Sequence, residues 1–329
     1  MLTFRPFLNT DPPLIVEIWR GLPQRHAIVE AVSPAILDEH IFAKPYFDRL
    51  GLILAFYQNA TDPEPVPAGL IHAGFAPSES LNDIDTSKGV ISLMQVVEGP
   101  HAREIEDGLV KEALKYLESH GAKTVSIGSA FPYAPFYSGL YGGSCVPGCL
   151  SEDPASRAAY ERNGFTPAET VLIFNRSLVG FRPVVDRQQM ALRRQMLTIA
   201  AIDPIESTWW ESCTLGMAQR ENFKISDRNS GQLLASATFW DVQPLAIEWG
   251  VNARGLHKLK TGREVNDSDD PLPDGLRLFT MGESLKHLVQ EGVSLVEVQT
   301  LETDYEFIAV LAKMGFKQFG KGTLMHREL

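Results

Sequence analysis

Two stretches of similar sequence indicate how this chain is organised: "AAYERNGF" at residues 158–165 and "AVLAKMGF" at residues 309–316. Each has the pattern of a short helix that ends at a glycine and is followed by a phenylalanine that begins a strand. The first stretch carries Tyr160 four residues before its glycine, and the second carries Leu311 at the same place. The pair raises the question of whether two copies of one domain are present, with a chemically competent side chain in only one.

Further elements recur in the same order in both halves of the chain. Each half carries a hairpin pattern, "LGLILAFYQ" to "AGLIHAGFA" and "ENFKISD" to "QLLASATFW", and then an amphipathic helix that ends at a glycine before an apolar strand. We also expect "TFRPF" and "GFRPV" to open the two copies, and "GVISLMQVV" and "PLAIEWGV", which contains Glu248, to be corresponding strands. The shared order predicts a tandem repeat with domains at 1–178 and 179–329.

The two copies differ in length between the strand and the final helix. The glycines that end the two helices are 43 residues apart in the first half and 23 residues apart in the second. The extra residues form an insertion at 130–154 that is dense in aromatic residues, glycine and proline. Its aromatic side chains, Tyr137 and Tyr141 among them, either line a substrate pocket or cover the core.

Composition indicates a soluble globular protein. The 329 residues are 44% hydrophobic and 22% charged, which suits two domains of ordinary size. The net charge of −11 argues against a nucleic-acid surface and favours cationic small molecules, although solubility alone explains it equally well. The N-terminus has no signal-peptide pattern, and the longest apolar run is too short to span a membrane. We therefore expect a cytoplasmic protein without a nucleic-acid or membrane partner.

Three cysteines do not make a disulfide framework, and this also favours a reducing compartment. Cys145 and Cys149 lie four residues apart in the insertion, but neither has a histidine or a further cysteine nearby in the sequence. Two thiols alone are a weak metal-binding pattern. The sequence predicts no metal site.

The final helix of the first half resembles the GNAT superfamily of acyltransferases, which use acetyl-coenzyme A. The family's helix commonly reads N-x-x-A-x-x-x-Y-E-x-x-G-F, and "DPASRAAYERNGF" matches it from Tyr160 onward, with Asp153 and Ser156 in place of the Asn and Ala. The resemblance covers essentially the whole chain as two GNAT-like domains in tandem. It implies an α/β (α+β) fold in which each domain is a mixed, mostly antiparallel sheet flanked by helices. Two central strands of such a sheet splay apart around the pantetheine arm.

A second family motif, R/Q-x-x-G-x-G/A, opens the central helix and is half present in "REIEDG". Backbone N–H groups at a helix N-terminus bind pyrophosphate, and glycine lets the phosphates approach. Arg103 and Gly108 match the motif, whereas Glu106 stands where the first glycine belongs. Carboxylates here either repel phosphates or complement the helix macrodipole. The resemblance implies that Arg103, Gly108 and Asp153 bind the coenzyme.

The second half has neither motif. The register set by its helix-ending glycine places Asp274, Arg277 and Phe279 at the positions of the phosphate loop. The terminal helix has Leu311 in place of the tyrosine. We therefore expect no coenzyme in the second half.

Acyl transfer to an amine needs a neutral amine, a polarised carbonyl and a proton for the departing thiolate. The resemblance implies that a backbone N–H near Val96 or Val97 polarises the carbonyl and that Tyr160 donates the proton. Tyr160 is otherwise a helix tyrosine that packs its ring on the core. The general base is not readable, and Glu98, His101 and a water relay remain open.

Together these features favour an acyl-CoA-dependent N-acetyltransferase that acts on the amine of a small-molecule or peptide-like acceptor. The first domain is then catalytic, with Tyr137 and Tyr141 at the acceptor site, and the second is a degenerate copy. The alternative is a non-catalytic ligand-binding or sensory protein built from two degenerate GNAT-like domains. Glu106 favours the alternative, and Tyr160 and the insertion favour the enzyme.

Overall fold

The computed structural model describes residues 1–23, 27–58, 64–129, 131, 134–202, 205–206, 208–265 and 272–329. Its internal contacts divide the chain into two compact units. Unit 1 consists of Met1–Val171, Ser207–Gly216 and Lys321–Leu329, and unit 2 consists of Leu172–Glu206 and Met217–Gly320. The units thus differ from a simple division at residue 178, because two segments of the second half of the sequence belong to unit 1.

Unit 1 contains a mixed sheet. Its strands are β1 (Leu2–Pro6), β2 (Leu52–Tyr57), β3 (Val66–Pro77), β4 (Ile84–Val96), β5 (Thr124–Ile127), β6 (Cys149–Leu150), the first part of β7 (Thr166–Ser177) and the last part of β13 (Lys317–Glu328). The order is β1-β2-β3-β4-β5-β13, with β6 also paired to β13. Strands β4 and β5 are parallel, and the other registers described within this order are antiparallel. The predicted mixed, mostly antiparallel sheet is confirmed.

Helices flank the sheet of unit 1. They are α1 (Pro12–Arg20), α2 (Pro34–Leu37) with a following π-helical turn (Asp38–Phe42), α3 (Ala102–Ser119), α4 (Pro154–Arg162) and α6 (Trp209–Leu215). Helix α3 forms because Ile105, Leu109, Ala113 and Leu117 recur on one face, and all four are buried against β2, β3 and β4. The helix ends before Gly121, whose φ of +92° suits glycine.

Unit 2 repeats this arrangement. Its strands, besides the remaining parts of β7 and β13, are β8 (Met196–Ile202), β9 (Arg220–Asp227), β10 (Leu233–Asp241), β11 (Ala253–Thr261) and β12 (Leu295–Leu301). Its helices are α5 (Arg187–Gln195), α7 (Gln243–Glu248), α8 (Leu276–Gln290) and α9 (Tyr305–Lys313), with a 3₁₀ turn at Gly262–Glu264. The strand order is β7-β12-β11-β10-β9-β8, and β11 and β12 form the parallel pair. Strands β11 and β12 therefore correspond to β4 and β5 of unit 1.

The two quoted stretches adopt the same backbone structure. The N–H of Phe165 donates to the carbonyl of Tyr160 at 3.1 Å, and the N–H of Phe316 donates to the carbonyl of Leu311 at 3.0 Å. The glycines between them have φ values of +83° and +75°. This left-handed conformation ends a helix at little cost only when the residue is glycine. The predicted repeat of helix, glycine and strand is confirmed.

Two predicted correspondences in the second half are wrong. The segment "PLAIEWGV" is not a strand, because helix α7 covers most of it and Glu248 is the last residue of that helix. A short apolar run is ambiguous between helix and strand, and Pro244 in the first turn favours the helix. The strand that corresponds to β4 is β11. The second wrong correspondence is that of "GFRPV" with "TFRPF". The segment "GFRPV" forms no strand, and it begins at Gly180, which turns the chain with a φ of +70°. The strand that corresponds to β1 is β8, which pairs with β9.

Candidate functional site

Strand β4 separates from β5 in the middle of the unit 1 sheet. Their parallel register runs from Lys88 opposite Thr124 to Ile91 opposite Ile127, and the N–H of Gly128 makes a last bond of 2.8 Å to the carbonyl of Ile91. Strand β4 continues to Val96 while still paired with β3. Beyond Ile91, the edge of β4 that faces β5 has no strand partner in the described part of the chain. This opening matches the splayed central strands that the resemblance implied.

A β-bulge lies at the start of the opening. Ile91 is opposite Ala73 and Leu93 is opposite His72, so Ser92 is an extra residue in β4. A bulge re-aims the following residues and bends the strand. The sequence alone gave no signal for it.

The backbone of β4 after the bulge distinguishes the two predicted amide donors. The N–H of Val97 donates to the carbonyl of Ala68 in a bond of 2.9 Å, and Val97 is therefore engaged with the β3 side. Amides alternate in direction along a strand, which turns the N–H of Val96 to the opposite edge, toward the opening. Val96 is the better placed of the two to meet a ligand in the gap.

The N-terminus of α3 follows directly after the opening. His101 is the N-cap residue, and the first helical bond runs from the N–H of Ile105 to the carbonyl of His101. The N–H groups of Arg103 and Glu104 have no acceptor among the described residues, as expected for the first turn of a helix. These amides can bind an anion, and the exposed side chain of Arg103 lies in the same turn.

Glu106, which replaces the first motif glycine, is buried and paired. Its Oε2 atom lies 2.8 Å from Nη2 of Arg162 on α4, and the same nitrogen lies 2.9 Å from Oδ1 of Asp107. The side-chain amide of Asn163 also donates to Asp107, at 3.1 Å. Arg162 therefore offsets the carboxylates that would repel a phosphate group at this end of α3.

Gly108 packs against strand β1. A methyl group at its Cα would overlap the aromatic ring of Phe4. This contact requires a residue without a side chain, whether or not a phosphate approaches. The structure thus supplies a packing reason for Gly108, and its predicted role in coenzyme binding stays a prediction.

Tyr160 lies in the core between α4 and the sheet. Its side chain is 2% exposed and its ring makes an edge-to-face contact with Phe165 at 5.6 Å between centroids. Burial raises the pKa of the Tyr160 phenol well above its ordinary value, so the hydroxyl stays protonated at neutral pH. The same core contains Cys149, Ile105 and Met325.

Asp153 is the N-cap of α4. Its Oδ1 accepts the N–H of Ser156 at 3.2 Å, and its Oδ2 accepts the Ser156 hydroxyl at 2.9 Å. Asp304 caps α9 in the same way by accepting the N–H of Phe307 at 3.0 Å. Because the second copy keeps the aspartate and lacks the tyrosine, helix capping explains this position in both copies.

The aromatic side chains of Phe136, Tyr137 and Tyr141 in the insertion are buried rather than exposed at a pocket mouth. Tyr137 stacks on Trp19 at 6.2 Å, and its hydroxyl lies 3.0 Å from Nδ1 of His72. It holds a φ of +65°, which is uncommon outside glycine. Tyr141 is buried beside it, and its N–H donates to the carbonyl of Tyr137 at 2.9 Å. Tyr133, another aromatic residue of the insertion, lies outside the described residues.

His72 on β3 is a candidate site residue that the sequence analysis did not identify. Its side chain is 0% exposed, and burial lowers its pKa to about 3, so the imidazole is neutral. Phe136 packs on the ring at 4.2 Å, and Phe47 meets it edge-on at 5.6 Å. The available signal was a lone histidine inside the apolar run "GLIHAGF". His101, one of the residues left open as general base, lies apart from His72. Its ring stacks on Tyr57 with the ring centroids 4.6 Å apart.

A depression of about 660 Å³ lies at the end of α4, beside Arg162 and Arg327. Both guanidinium groups are engaged, Arg162 with its two carboxylates and Arg327 with the carbonyl of Asn163 at 2.5 Å. The depression therefore has cationic walls but no uncommitted cation to define an anion site.

The matching region of unit 2 differs. At the start of α8 the carbonyl of Gly275 accepts the side-chain amide of Gln189 at 3.2 Å, and Arg277 pairs with Asp304 at 3.3 Å. Leu278 and Phe279 in the same turn are buried, whereas Asp274 before it is exposed. Leu311 is 0% exposed and completes an apolar core.

The described residues contain no group of three His, Cys, Asp or Glu side chains arranged to hold a metal ion. In the same part of the chain, no helix combines the length and apolar character needed to cross a bilayer.

Comparisons with solved structures identify the fold. No protein-family model matches the sequence, and no curated protein matches it. Among solved structures, a tandem GNAT protein from the clavulanic acid biosynthesis pathway superposes with a TM-score of 0.63 at 13% identity, covering 100% of this chain and 98% of that one. A GCN5-related N-acetyltransferase from Sphaerobacter thermophilus gives 0.64 at 13% identity, covering 99% and 95%.

A third structure, a GCN5-related glucosamine N-acetyltransferase region of a fungal multi-domain GH3 beta-N-acetylglucosaminidase, gives a TM-score of 0.64 at 12% identity. It covers 99% of this chain and 38% of that one. Structural similarity at sequence identities this low supports the fold and gives no evidence for a substrate. The chain therefore has the fold of the tandem GNAT proteins.

Proposed function

We propose that the protein is an N-acetyltransferase that moves an acetyl group from acetyl-CoA to the amine of a small-molecule or peptide-like acceptor, and that unit 1 is the catalytic unit. The observation that carries the proposal is the opening between β4 and β5, which leaves the Val96 amide facing the gap beside the α3 N-terminus. Unit 2 serves as a non-catalytic copy, because its terminal helix carries Leu311 where unit 1 carries Tyr160.

The residues of unit 1 fit the coenzyme. Uncommitted amides at Arg103 and Glu104 suit a pyrophosphate, and the Arg162 pair reduces the repulsion from Glu106. Bound there, acetyl-CoA supplies an acyl thioester. The amine must arrive neutral for the new C–N bond to form as the C–S bond breaks.

Two groups of the chain assist this reaction. The Val96 N–H donates a hydrogen bond to the carbonyl oxygen, where negative charge develops in the transition state. Tyr160 is protonated at neutral pH. It donates this proton to the sulfur as the thiolate leaves and regains a proton from solvent before the next turnover. The proton lost by the amine goes to solvent or to a base on the acceptor side of the gap.

The test is thiol release from acetyl-CoA across a panel of primary amines, with the wild-type protein and Tyr160→Phe. We expect kcat to fall about 10²–10⁴-fold in the variant while the affinity for acetyl-CoA is kept, because only the hydroxyl is removed. Tyr116→Phe is the matched control, since Tyr116 is a buried tyrosine on α3 that donates to Asp48 at 2.9 Å, away from the opening. It should lose stability and keep kcat.

An unchanged rate in Tyr160→Phe would reduce this residue to a packing role. Binding of acetyl-CoA without turnover for any amine would instead favour a ligand-binding or sensory protein.

A further inference from the structure

Four buried side chains of unit 1 keep polar atoms without a hydrogen-bond partner among the described residues. These atoms are Nε2 of His72, Oγ of Ser92, both amide atoms of Gln95, and Oγ of Ser129. All four residues are at most 3% exposed. Buried polar groups are nearly always paired, because a buried donor or acceptor without a partner loses its hydration without compensation. A set of unpaired groups needs a reason.

The four residues lie on β3, on β4 and just after β5, near the point where β4 leaves β5. Across β3 and β4, His72 is opposite Leu93, and Gln95 lies two residues farther along β4. Their side chains are therefore on the same face of the sheet, about 7–8 Å apart between backbones, within reach of long side chains. Ser92 is the bulge residue, and Ser129 follows Gly128, whose N–H bonds to Ile91.

The cluster carries no charge. Burial alone lowers the pKa of His72, with no contribution from a neighbouring charged group, and the other three side chains are neutral amides and hydroxyls. The Tyr137 phenol that contacts Nδ1 of His72 is also neutral, because burial raises its pKa. An ammonium or carboxylate group in this place would lose its hydration without gaining a counter-charge.

We propose that His72, Ser92, Gln95 and Ser129 form an acceptor subsite for an uncharged group that both donates and accepts hydrogen bonds, a carboxamide. The Gln95 amide offers a donor and an acceptor in one plane, which is the complement of another amide. Tyr137 is a positioning residue that engages Nδ1 and leaves Nε2 of His72 for the ligand. The subsite rests on the proposed function, and it selects among amines by the neutral group they carry.

Binding is tested first, without any acetyl transfer. Saturation-transfer NMR is recorded on the full chain with propionamide, propionate and propylammonium, which share their size and differ in charge. We expect propionamide to bind at least about tenfold more tightly than the two ions. Gln95→Met should lose the propionamide signal and Ser129→Ala should weaken it, whereas the exposed control Gln290→Met should keep it.

Binding of the ions as strong as that of propionamide would overturn the proposal. No binding of any probe, or a propionamide signal that survives Gln95→Met, would overturn it as well.

Stability separates a ligand-binding amide from a structural one. Methionine has the length of glutamine and no polar atom, so Gln95→Met removes an unpaired buried amide. We expect the Tm of this variant to be unchanged or higher, because an apolar replacement of an unpaired group is neutral or stabilising. A clear fall in Tm, with the control unchanged, would show that the amide has a structural partner and would refute the subsite.

Turnover then distinguishes the subsite from the proposed function. Glycinamide, glycine and ethylenediamine are compared as acceptors, and glycinamide should have the highest kcat/KM. In Gln95→Met the KM for glycinamide should rise about tenfold with little change in kcat. Propionamide binding without turnover of any amine would refute the acetyltransferase and leave the subsite. Turnover without a preference for glycinamide would refute the subsite and leave the acetyltransferase.

Discussion

Residues at equivalent positions in the two copies distinguish structural roles from chemical ones. Tyr160 and Leu311 occupy the same helical position, accept the same backbone bond and are both buried. Packing therefore tolerates either side chain, and only the first carries a proton donor. Asp153 and Asp304 show the reverse case, since both cap their helices and neither distinguishes the copies.

Gly108 offers a direct test between packing and coenzyme binding. Gly108→Ala should destabilise unit 1 by about 1–3 kcal/mol, because the added methyl group overlaps the Phe4 ring. Phe4→Leu in the same chain should restore much of the loss by giving the methyl group room. Urea unfolding measures both effects. A drop in acetyl-CoA affinity that persists in the double variant would assign Gly108 to the phosphate loop instead.

His72 predicts how stability depends on pH. Its pKa is about 3 in the folded protein and about 6.5 when unfolded, so the unfolded chain binds the extra proton between these values. Stability should therefore fall as the pH drops below about 6.5, by about 1.4 kcal/mol per pH unit from this residue. His72→Gln should flatten this dependence in urea melts at pH 4.5, 5.5 and 7. Equal slopes in variant and wild type would contradict a neutral buried imidazole.

Among the helices and strands, the placement of helix α6 could not be predicted from its position in the sequence. It belongs to the second half of the chain and packs in unit 1, where Trp210 stacks on Tyr46 at 4.5 Å. The N–H of Trp210 donates to the carbonyl of Leu81 at 2.9 Å, and Lys44 donates to the carbonyl of Thr214 at 2.5 Å. Tyr46 in turn donates to the carbonyl of Pro135 at 2.8 Å, next to the Phe136 that packs on His72.

Removing the stacked indole tests this attachment. Trp210→Ala should destabilise unit 1 by about 3–5 kcal/mol, because the side chain is fully buried and its loss leaves a cavity. Trp209→Ala is the matched control, since that indole is only half-buried, and its effect should be clearly smaller. Denaturant unfolding monitored by circular dichroism measures the difference. Equal losses for the two variants would contradict the larger contribution expected from the more deeply buried indole of Trp210.

At the scale of the whole molecule, two units with one fold have different potential for chemistry. Unit 2 keeps a parallel strand pair and a capped terminal helix. Its α8 begins with buried apolar residues and a carbonyl that binds Gln189, and its α9 has no tyrosine at the key position. A duplicated fold is therefore compatible with a single site.

Titration calorimetry with acetyl-CoA should give one site per chain. Leu311→Tyr should leave this stoichiometry at one and add no turnover, because the second half also lacks the phosphate-loop glycines and carries Asp274, Arg277 and Phe279 at those positions. Two sites of equal affinity in the wild-type protein would contradict the asymmetry between the units.

Features that depend on neighbouring residues along the chain could be predicted from the sequence. Helix-ending glycines and the apolar face of α3 follow from steric and packing preferences within about four residues, so the repeat could be predicted, and the family resemblance then implied its fold. The capping role of Asp153 was not predicted. Where the local pattern was ambiguous, as in "PLAIEWGV", prediction failed because a short apolar run suits a strand or a helix.

Contacts between segments that are distant in the sequence could be identified only in the folded structure. His72 and Gln95 lie on different strands, and their position on one face of the sheet depends on the register of β3 with β4 and on the bulge at Ser92. The assignment of α6 and of the end of β13 to unit 1 depends likewise on long-range packing. Such contacts leave no periodic pattern in the sequence, since each partner is local only to its own strand or helix.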